Sequence, residues 1–141
     1  MQVRLLLPGD ERLLIEVAAL LDDPVITPKR ATMLLAEPTF FIVVAFSDEG
    51  EMMGRIYGHV LHRYEQTDLL LYEVDVAEQH QRKGAAVAMI EFVKAVCREN
   101  DYREMWVLTE AENAPARALY LAGGGVREGG DVVMYVFYPH E

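Results

Sequence analysis

The stretch QRKGAA, Gln81 to Ala86, lies between the apolar run LLLYEVDV and the helix-like pattern AVAMIEFVKAVCREN. A strand therefore gives way to a helix here, and two cations and a glycine stand at the junction. Backbone amides at a helix N-terminus carry partial positive charge, and glycine lets a ligand approach them closely. The stretch predicts a site for an anion such as a diphosphate. Many helices begin with such residues by chance, so this prediction needs support from the rest of the chain.

Composition narrows the class of protein. The 141 residues contain no long polar, Pro/Gly-rich or low-complexity break, which predicts one domain over residues 1–141. The longest apolar runs, such as FFIVVAF, are too short to span a membrane, and the N-terminus lacks the apolar core of a secretory signal. The lone Cys97 has no partner for an internal disulfide, which agrees with a cytoplasmic location.

The charge balance indicates the kind of partner. Thirteen basic and 23 acidic residues give a net charge of −10, which repels nucleic acid and concentrates small cations at an acidic cleft. We therefore expect a cationic substrate and neither a nucleic-acid nor a membrane partner. The alternative is that the acidic surface only keeps the protein soluble.

Hydrophobic periodicity and turn signals predict a mixed α/β order without repeats. Strands are predicted at 3–7, 40–46, 52–64, 69–77, 104–110 and 132–138, and helices at 11–21, 31–36, 86–100 and from Asn113 to the glycines at 123–124. The segment DDPVITPKR contains two prolines and is predicted to be a loop that could form a lid or a wall.

Two motifs in this order resemble those of the GCN5-related N-acetyltransferases (GNAT). The family's acetyl-CoA loop, Gln/Arg-x-x-Gly-x-Gly/Ala, is matched by Gln81, Gly84 and Ala86. A second motif is matched in NAPARALYLAGG by Asn113, Ala116, Tyr120 and Gly124. The segments YEQ, YEVDVAEQHQRKG and ALY are most similar to those of the type I aminoglycoside 3-N-acetyltransferases, and the resemblance extends from about Phe40 to the C-terminus.

The resemblance implies a GNAT fold, with a twisted, mostly antiparallel sheet whose fourth and fifth strands splay apart at a bulge. Acetyl-CoA would lie in the gap, with main-chain groups around Val74, Asp75 and Val76 pairing with its pantetheine arm. The residues implied to contact the cofactor are Val74, Val76, Gln81, Arg82, Lys83, Gly84, Ala85, Ala86, Asn113, Ala116 and Tyr120.

The reaction implied by the resemblance is attack of an amine on a thioester, which needs a proton acceptor and a proton donor. Glu73 matches an acidic position of the subgroup and could deprotonate the ammonium group directly or through a water molecule. Asp75 is the competing base, because strand alternation places it on the same face unless the bulge intervenes. Tyr120 matches the tyrosine that protonates the coenzyme A thiolate. Glu73 and Asp75 also count as substrate-binding residues.

The acceptor implied by the resemblance is an aminoglycoside antibiotic, modified at the 3-amino group of its deoxystreptamine ring, which would confer resistance. Glu110 and Glu112 could hold further ammonium groups, although a solvated acidic loop is equally consistent with the sequence. The alternatives are another small polyamine, a protein amine, or a coenzyme A-binding module without activity. A glutamate instead of an aspartate at Glu73 and the unusual GGGV after Tyr120 affect the choice of acceptor more than acetyl transfer. We expect a homodimer.

Metal and thiol chemistry are not predicted. His59 and His62 are three residues apart in a predicted strand and should point to opposite faces. Cys97 lies on the apolar stripe of its predicted helix, as a core residue would.

Overall fold

The computed structural model of the protein describes residues 1–140, which form five strands, four α-helices and a short 3-10 helix at Glu78–His80. In chain order they are β1 (Gln2–Leu5), α1 (Glu11–Leu20), α2 (Pro28–Ala36), β2 (Phe40–Phe46), β3 (Met52–His62), β4 (Thr67–Val76), α3 (Ala85–Asn100), β5 (Met105–Val107) and α4 (Ala114–Ala122). This order confirms the predicted mixed α/β fold. Within these residues, every helix is too short or too polar to span a bilayer.

The five strands form one open sheet in the order β1-β2-β3-β4-β5. The first three pairings are antiparallel, and β4 pairs with β5 in parallel over Leu69–Leu71 and Met105–Val107. Beyond Leu71, β4 continues for five residues without a partner on its β5 side. The two strands therefore splay apart at their carboxyl ends, as expected for the GNAT fold.

Helices cover both faces of the sheet. On one face α3 packs through Met89, Ile90, Val93 and Cys97, and Cys97 is a core residue, as its place on the apolar stripe predicted. On the other face α1 and α2 pack through Leu14, Val17, Ala31 and Leu35.

A β-bulge in β4 determines which face of the sheet the side chains at the splayed end occupy. Tyr57 pairs with Glu73 and Gly58 pairs with Leu71, so Tyr72 is the extra residue. A bulge breaks the alternation of side chains, and Tyr72 and Glu73 consequently both contact groups on the α1–α2 face. The rings of Tyr72 and Tyr57 lie 5.5 Å apart, and Tyr57 packs in the α1–α2 core.

The prediction of a sixth strand was wrong. Val132–Tyr138 has no strand structure, and its side chains are exposed. Among residues 1–140, the backbone amides of 133–138 have no backbone partner, because no other strand lies beside them. A strand-forming sequence becomes a strand only when a neighbouring strand accepts its hydrogen bonds.

Several boundaries also differ from the prediction by one to three residues, and the largest differences are at α2 and β5. α2 begins at Pro28 rather than Ala31, because Thr27 caps it by accepting a hydrogen bond from the Arg30 amide and proline suits the first helical turn. β5 is restricted to Met105–Val107 instead of 104–110. Glu104 still accepts a hydrogen bond from the Leu69 amide, but within residues 1–140 nothing after Val107 pairs with β4.

Candidate active site

The loop before α3 has the features of an anion site. Gly84 is the N-cap of α3 and has a φ of 84°, and Arg82 is also left-handed with a φ of 62°. Within the described part of the chain, the backbone amides of residues 82–87 have no protein acceptor, and neither Arg82 nor Lys83 forms an ion pair. Six amides and two exposed cations are therefore available to a diphosphate.

Gln81 fastens this loop to the sheet. Its side-chain amide donates a hydrogen bond of 3.1 Å to the carbonyl of Val76, the last residue of β4. Ala85 is buried in the α3-side core, and Ala86 is partly buried beside it. Gln81 and Ala85 therefore position the loop, whereas its free amides and cations face no internal partner.

The exposed edge of β4 lies at the splayed gap. The Val76 amide donates to the Asp75 carboxylate at 2.9 Å, and the Val76 carbonyl accepts from Gln81, so neither bonds to β3. Because the backbone alternates with a period of two residues, the amide and carbonyl of Val74 lie on the same edge. This edge has no β5 partner beyond Leu71. Val74 consequently offers an unpaired donor and acceptor to an extended ligand in the gap.

A buried arginine links two carboxylates beside this edge. Arg55 on β3 is 1% exposed, and its Nη2 donates to Glu73 Oε2 at 2.7 Å and to Asp23 Oδ2 at 2.8 Å. Its guanidinium carbon lies 5.2 Å from the centre of the Tyr57 ring, and its buried Nη1 has no partner among residues 1–140. Asp23 belongs to the α1–α2 loop that was predicted to form a lid or a wall.

Asp23 and Arg55 were missed by the sequence reasoning. The signal that could have found Arg55 is a lone cation inside the apolar strand MMGRIYG, since a buried cation requires an anionic partner. No comparable signal marks Asp23, because it lies 32 residues from Arg55 in an exposed loop sequence.

Glu73 and Asp75 share one face of β4, because the bulge precedes both of them. In the ladder Glu73 lies opposite Tyr57 and Asp75 lies opposite Arg55. The Glu73 side chain is 44% exposed, so it is open to solvent while Arg55 holds its Oε2 atom. Asp75 is exposed, and Asp23 stands beside Glu73 through their shared contact with Arg55. Three carboxylates thus border this face of the gap.

Aromatic rings line the same face. The ring centre of Tyr57 lies 6.0 Å from that of Phe40 and 5.5 Å from that of Tyr72, and Tyr72 is 63% exposed. Burial, followed by the negative charge of Glu73, raises the pKa of Tyr57 above its usual value, so its hydroxyl stays protonated at neutral pH. Carboxylates and aromatic rings therefore both line this face, and both kinds of group attract an ammonium-bearing ligand.

Tyr120 lies across the sheet from these groups. It is on α4 and packs against the α3-side core, and burial raises the pKa of its hydroxyl. Asn113 has a structural role here: its side chain caps α4 by accepting a hydrogen bond of 3.2 Å from the Ala116 amide.

The other predicted acceptor residues lie after β5. Glu110 and Glu112 are exposed in the loop between β5 and α4, and within residues 1–140 neither forms an ion pair, so both carboxylates are open to solvent and their contact with the acceptor stays a prediction. The same range contains no group of three or more His, Cys, Asp or Glu side chains placed to hold a metal. His62 Nδ1 instead lies 3.0 Å from Thr67 Oγ1.

A family model described as "Acetyltransferase (GNAT) family" matches residues 12–124, which include strands β2 to β5 and the loop before α3. The chain belongs to the GNAT acetyltransferase family. GNAT enzymes take the acetyl group from acetyl-CoA, so acetyl-CoA is the donor for this acetyltransferase. The free loop amides and the unpaired β4 edge fit a ligand with a diphosphate and an extended arm.

Three solved structures show how closely this GNAT chain follows known folds. One is an aminoglycoside acetyltransferase from an uncultured soil metagenomic sample in complex with sisomicin, with a TM-score of 0.88, 18% identity and coverage of 97% of this chain and 95% of that one. Another is the aminoglycoside N-acetyltransferase AAC(6')-Iy in complex with CoA, with a TM-score of 0.78, 19% identity and coverage of 96% and 93%.

The third is a ribosomal-protein-alanine N-acetyltransferase from Brucella melitensis, with a TM-score of 0.77, 19% identity and coverage of 98% and 99%. At these identities the similarity establishes the fold of this GNAT enzyme and not its acceptor. No curated protein matches the sequence.

Proposed function

We propose that this acetyltransferase transfers the acetyl group of acetyl-CoA to an amine of an aminoglycoside. The observation that carries the proposal is the cluster of Asp23, Glu73 and Asp75 beside the splayed gap, on a protein of net charge −10. Several carboxylates at one site complement a ligand that carries several ammonium groups. A single simple amine would need only one of them.

The chain holds the donor through its backbone and its loop cations. The amides of residues 82–87, with Arg82 and Lys83, bind the diphosphate, and the Val74 edge pairs with the pantetheine arm. Bound acetyl-CoA supplies an activated acetyl group as a thioester. Glu73 lies on the α1–α2 face of the sheet and Tyr120 packs on the α3 face, so a base and an acid would act from opposite sides of the thioester.

Proton transfer completes the reaction at two named groups. Glu73 accepts a proton from the acceptor ammonium, directly or through a water molecule, so that the neutral amine can attack. The nitrogen then bonds to the thioester carbon and the carbon–sulfur bond breaks. The Tyr120 hydroxyl, kept protonated because burial raises its pKa, donates a proton to the departing sulfur, and it is restored from water, which takes up the proton that the nitrogen loses after attack. Asp75 is the competing base, and a larger loss of kcat in Asp75→Asn than in Glu73→Gln would assign the role to it.

The 3-amino group of deoxystreptamine is the position that we propose for acetylation, on the basis of the resemblance of YEVDVAEQHQRKG and its neighbours. The 6'-amino group is the alternative, since AAC(6')-Iy, named for that position, shares the fold. A ribosomal-protein alanine is the acceptor named for the protein from Brucella melitensis. The carboxylate cluster favours a polycation over a single N-terminal amine.

A thiol-release assay with a panel of acceptors tests the proposal. The panel contains sisomicin, kanamycin, spermidine and a peptide with an N-terminal alanine. Cys97 is 7% exposed and burial raises its pKa, so the folded protein should react slowly with the thiol reagent. We expect kcat/KM to be about 100-fold higher for an aminoglycoside, a difference of about 2.7 kcal/mol. Highest activity with spermidine or the peptide would refute the aminoglycoside proposal, and binding of acetyl-CoA without turnover would identify a coenzyme A-binding module.

A further inference from the structure

Arg55 connects the proposed base, Glu73, to a carboxylate of another element. Within residues 1–140 its ion pairs are with Glu73 and Asp23, and both carboxylates accept a hydrogen bond from the same Nη2 atom, at 2.7 and 2.8 Å. The guanidinium group is buried, and in the same range its Nη1 atom has no hydrogen-bond partner. The charge of Arg55 is therefore balanced by these two carboxylates and hardly at all by solvent.

Proton transfer to Glu73 changes this charge balance. With both carboxylates ionised, one cation and two anions leave the group with one net negative charge. When Glu73 takes a proton from the acceptor ammonium, Asp23 is the anion that still neutralises Arg55, and the net charge becomes zero. Without Asp23 the same step would leave a buried guanidinium without an anionic partner, which is strongly unfavourable.

We propose that Asp23 is a positioning residue of the reaction, which acts through Arg55 to keep Glu73 basic enough to accept a proton from the acceptor. The inference rests on the proposed function of Glu73 as the base. A nearby cation lowers the affinity of a carboxylate for protons, and a nearby anion raises it. Asp23 therefore offsets the effect of Arg55, and the α1–α2 loop contributes to proton transfer through this arginine.

Three further titratable groups border Glu73. Tyr57 lies opposite it on β3, Tyr72 precedes it on β4, and Asp75 follows on the same face. Burial raises the pKa of Tyr57, which therefore stays neutral where a carboxylate titrates. Asp75 is exposed, so solvent screens its charge. Among these neighbours, within residues 1–140, Asp23 alone is joined to Glu73 by a hydrogen-bonded cation.

The substitution Asp23→Asn removes the charge of this residue and keeps its shape. The asparagine carbonyl oxygen still accepts a hydrogen bond from Arg55. Asp22→Asn is the matched control, because Asp22 is adjacent and exposed and forms no ion pair within residues 1–140. Its left-handed φ of 57° suits asparagine as well as aspartate. Asp23→Glu keeps the charge and is the conservative variant.

Carbon NMR of the free enzyme measures proton uptake by Glu73 directly. The protein is labelled at the carboxyl carbon of its glutamate side chains, and the Glu73 signal is the one absent from Glu73→Gln. We expect the midpoint of its titration to lie about 0.5–1 pH unit lower in Asp23→Asn than in the wild type, because removal of a neighbouring anion favours the ionised form. Asp22→Asn and Asp23→Glu should titrate close to the wild type. Equal midpoints in Asp23→Asn and the wild type would overturn the proposal.

The substitution Arg55→Met tests the same link with the opposite sign. Removal of the cation should raise the midpoint of the Glu73 titration, because Asp23 then acts on Glu73 without a neutralising charge between them. A midpoint at or below the wild-type value would contradict the proposal, and this result does not depend on the folding of Asp23→Asn.

Steady-state kinetics with saturating sisomicin and acetyl-CoA connect proton uptake to catalysis. We expect the kcat of Asp23→Asn to fall about two- to fivefold, because a weaker base assists the reaction less, and Asp23→Glu should recover most of this loss. Asp22→Asn should keep the wild-type kcat. An unchanged kcat in Asp23→Asn would overturn the proposal even if the midpoint shifts. A wild type that acetylates no amine would instead refute the proposed function, and the titration, which needs no substrate, would still decide whether Asp23 acts on Glu73 through Arg55.

Discussion

Arg55 on β3 donates a hydrogen bond of 2.7 Å to the carboxylate of Glu73 on β4, next to the bulge at Tyr72. The same Nη2 atom holds Asp23 at 2.8 Å. A cation that is 1% exposed thereby joins the α1–α2 loop to the strand that borders the gap. The contact fixes two carboxylates at one place, and it makes the stability of the fold depend on the residues proposed to bind the acceptor.

This ion-pair group predicts non-additive losses of stability. Asp23→Ala or Glu73→Ala alone should lower the free energy of unfolding by at most about 1 kcal/mol, because the remaining carboxylate still neutralises Arg55. The double variant leaves a buried cation without a partner and should lose about 3 kcal/mol or more. Urea unfolding of the single and double variants measures the coupling. Strictly additive losses would show that the two carboxylates do not share the charge of Arg55.

A substitution at Gly84 tests whether the loop before α3 binds the diphosphate. Gly84→Val forces a β-branched residue into a φ of 84°, so the loop must change shape and its amides lose their placement. The dissociation constant for acetyl-CoA should rise about tenfold or more, which corresponds to 1.4 kcal/mol. Isothermal titration calorimetry measures this change.

Gly50→Val is the matched control for that substitution. Gly50 has the same φ of 84° in the β2–β3 turn, and an added Cβ would meet nothing within 4 Å at either glycine. Both variants should lose similar stability, and only Gly84→Val should lose affinity for acetyl-CoA. Equal affinity of the two variants for acetyl-CoA would show that the loop before α3 does not bind acetyl-CoA.

Local patterns in the sequence predicted most of the fold. The period of α3, the β2–β3 hairpin with its turn at residues 47–50 and the Asn113 cap of α4 all depend on neighbours within a few residues. Such features follow from propensity and spacing. The position of the bulge does not, because Tyr72 becomes the extra residue only through its register with β3.

Long-range partners account for what the sequence did not predict. The contact between Arg55 and Asp23 joins a strand to a loop 32 residues away, and no local pattern encodes it. Val132–Tyr138 has a strand-forming sequence, but propensity cannot specify whether a partner edge is within reach. Both features depend on which groups the tertiary or quaternary structure brings together.

Tyr120→Phe tests the proposed proton donor. The substitution keeps the ring in the α3-side core and removes the hydroxyl, so kcat should fall roughly 10- to 1,000-fold with little change in acetyl-CoA affinity. Because burial raises the pKa of the hydroxyl, the wild-type rate should not decline through loss of this proton below about pH 10. Stopped-flow and steady-state rates from pH 6 to 10 provide the measurement.

Tyr102→Phe is the control for the removal of a tyrosine hydroxyl. Tyr102 is partly buried against the same core but lies in the turn after α3. The Tyr102→Phe variant should keep the wild-type kcat at every pH. An unchanged kcat in Tyr120→Phe, or an equal loss in both variants, would exclude Tyr120 as the acid.

Salt should weaken binding of a polycationic acceptor. The Debye length falls from about 10 Å at 0.1 M to about 3 Å at 1 M ionic strength, so the KM for an aminoglycoside should rise several-fold over this range. Asp75→Asn removes an exposed carboxylate of the site and should make this dependence shallower, whereas Glu99→Gln, an exposed change on α3, should not. Identical salt dependence in both variants would place the acceptor elsewhere on the surface.

Analysis of the reaction product tests the central claim most directly. The purified protein is incubated with acetyl-CoA and either sisomicin or kanamycin, and the product is examined by mass spectrometry and two-dimensional NMR. We predict one mono-acetylated species with the acetyl group on the 3-amino nitrogen of deoxystreptamine, because a single amine reaches the gap at Glu73 while Asp23 and Asp75 hold the others. Acetylation at the 6'-amino group would show that the enzyme modifies an aminoglycoside at that position and not at the 3-amino group. No acetylated aminoglycoside, together with rapid acetylation of spermidine or of a peptide N-terminus, would contradict the account.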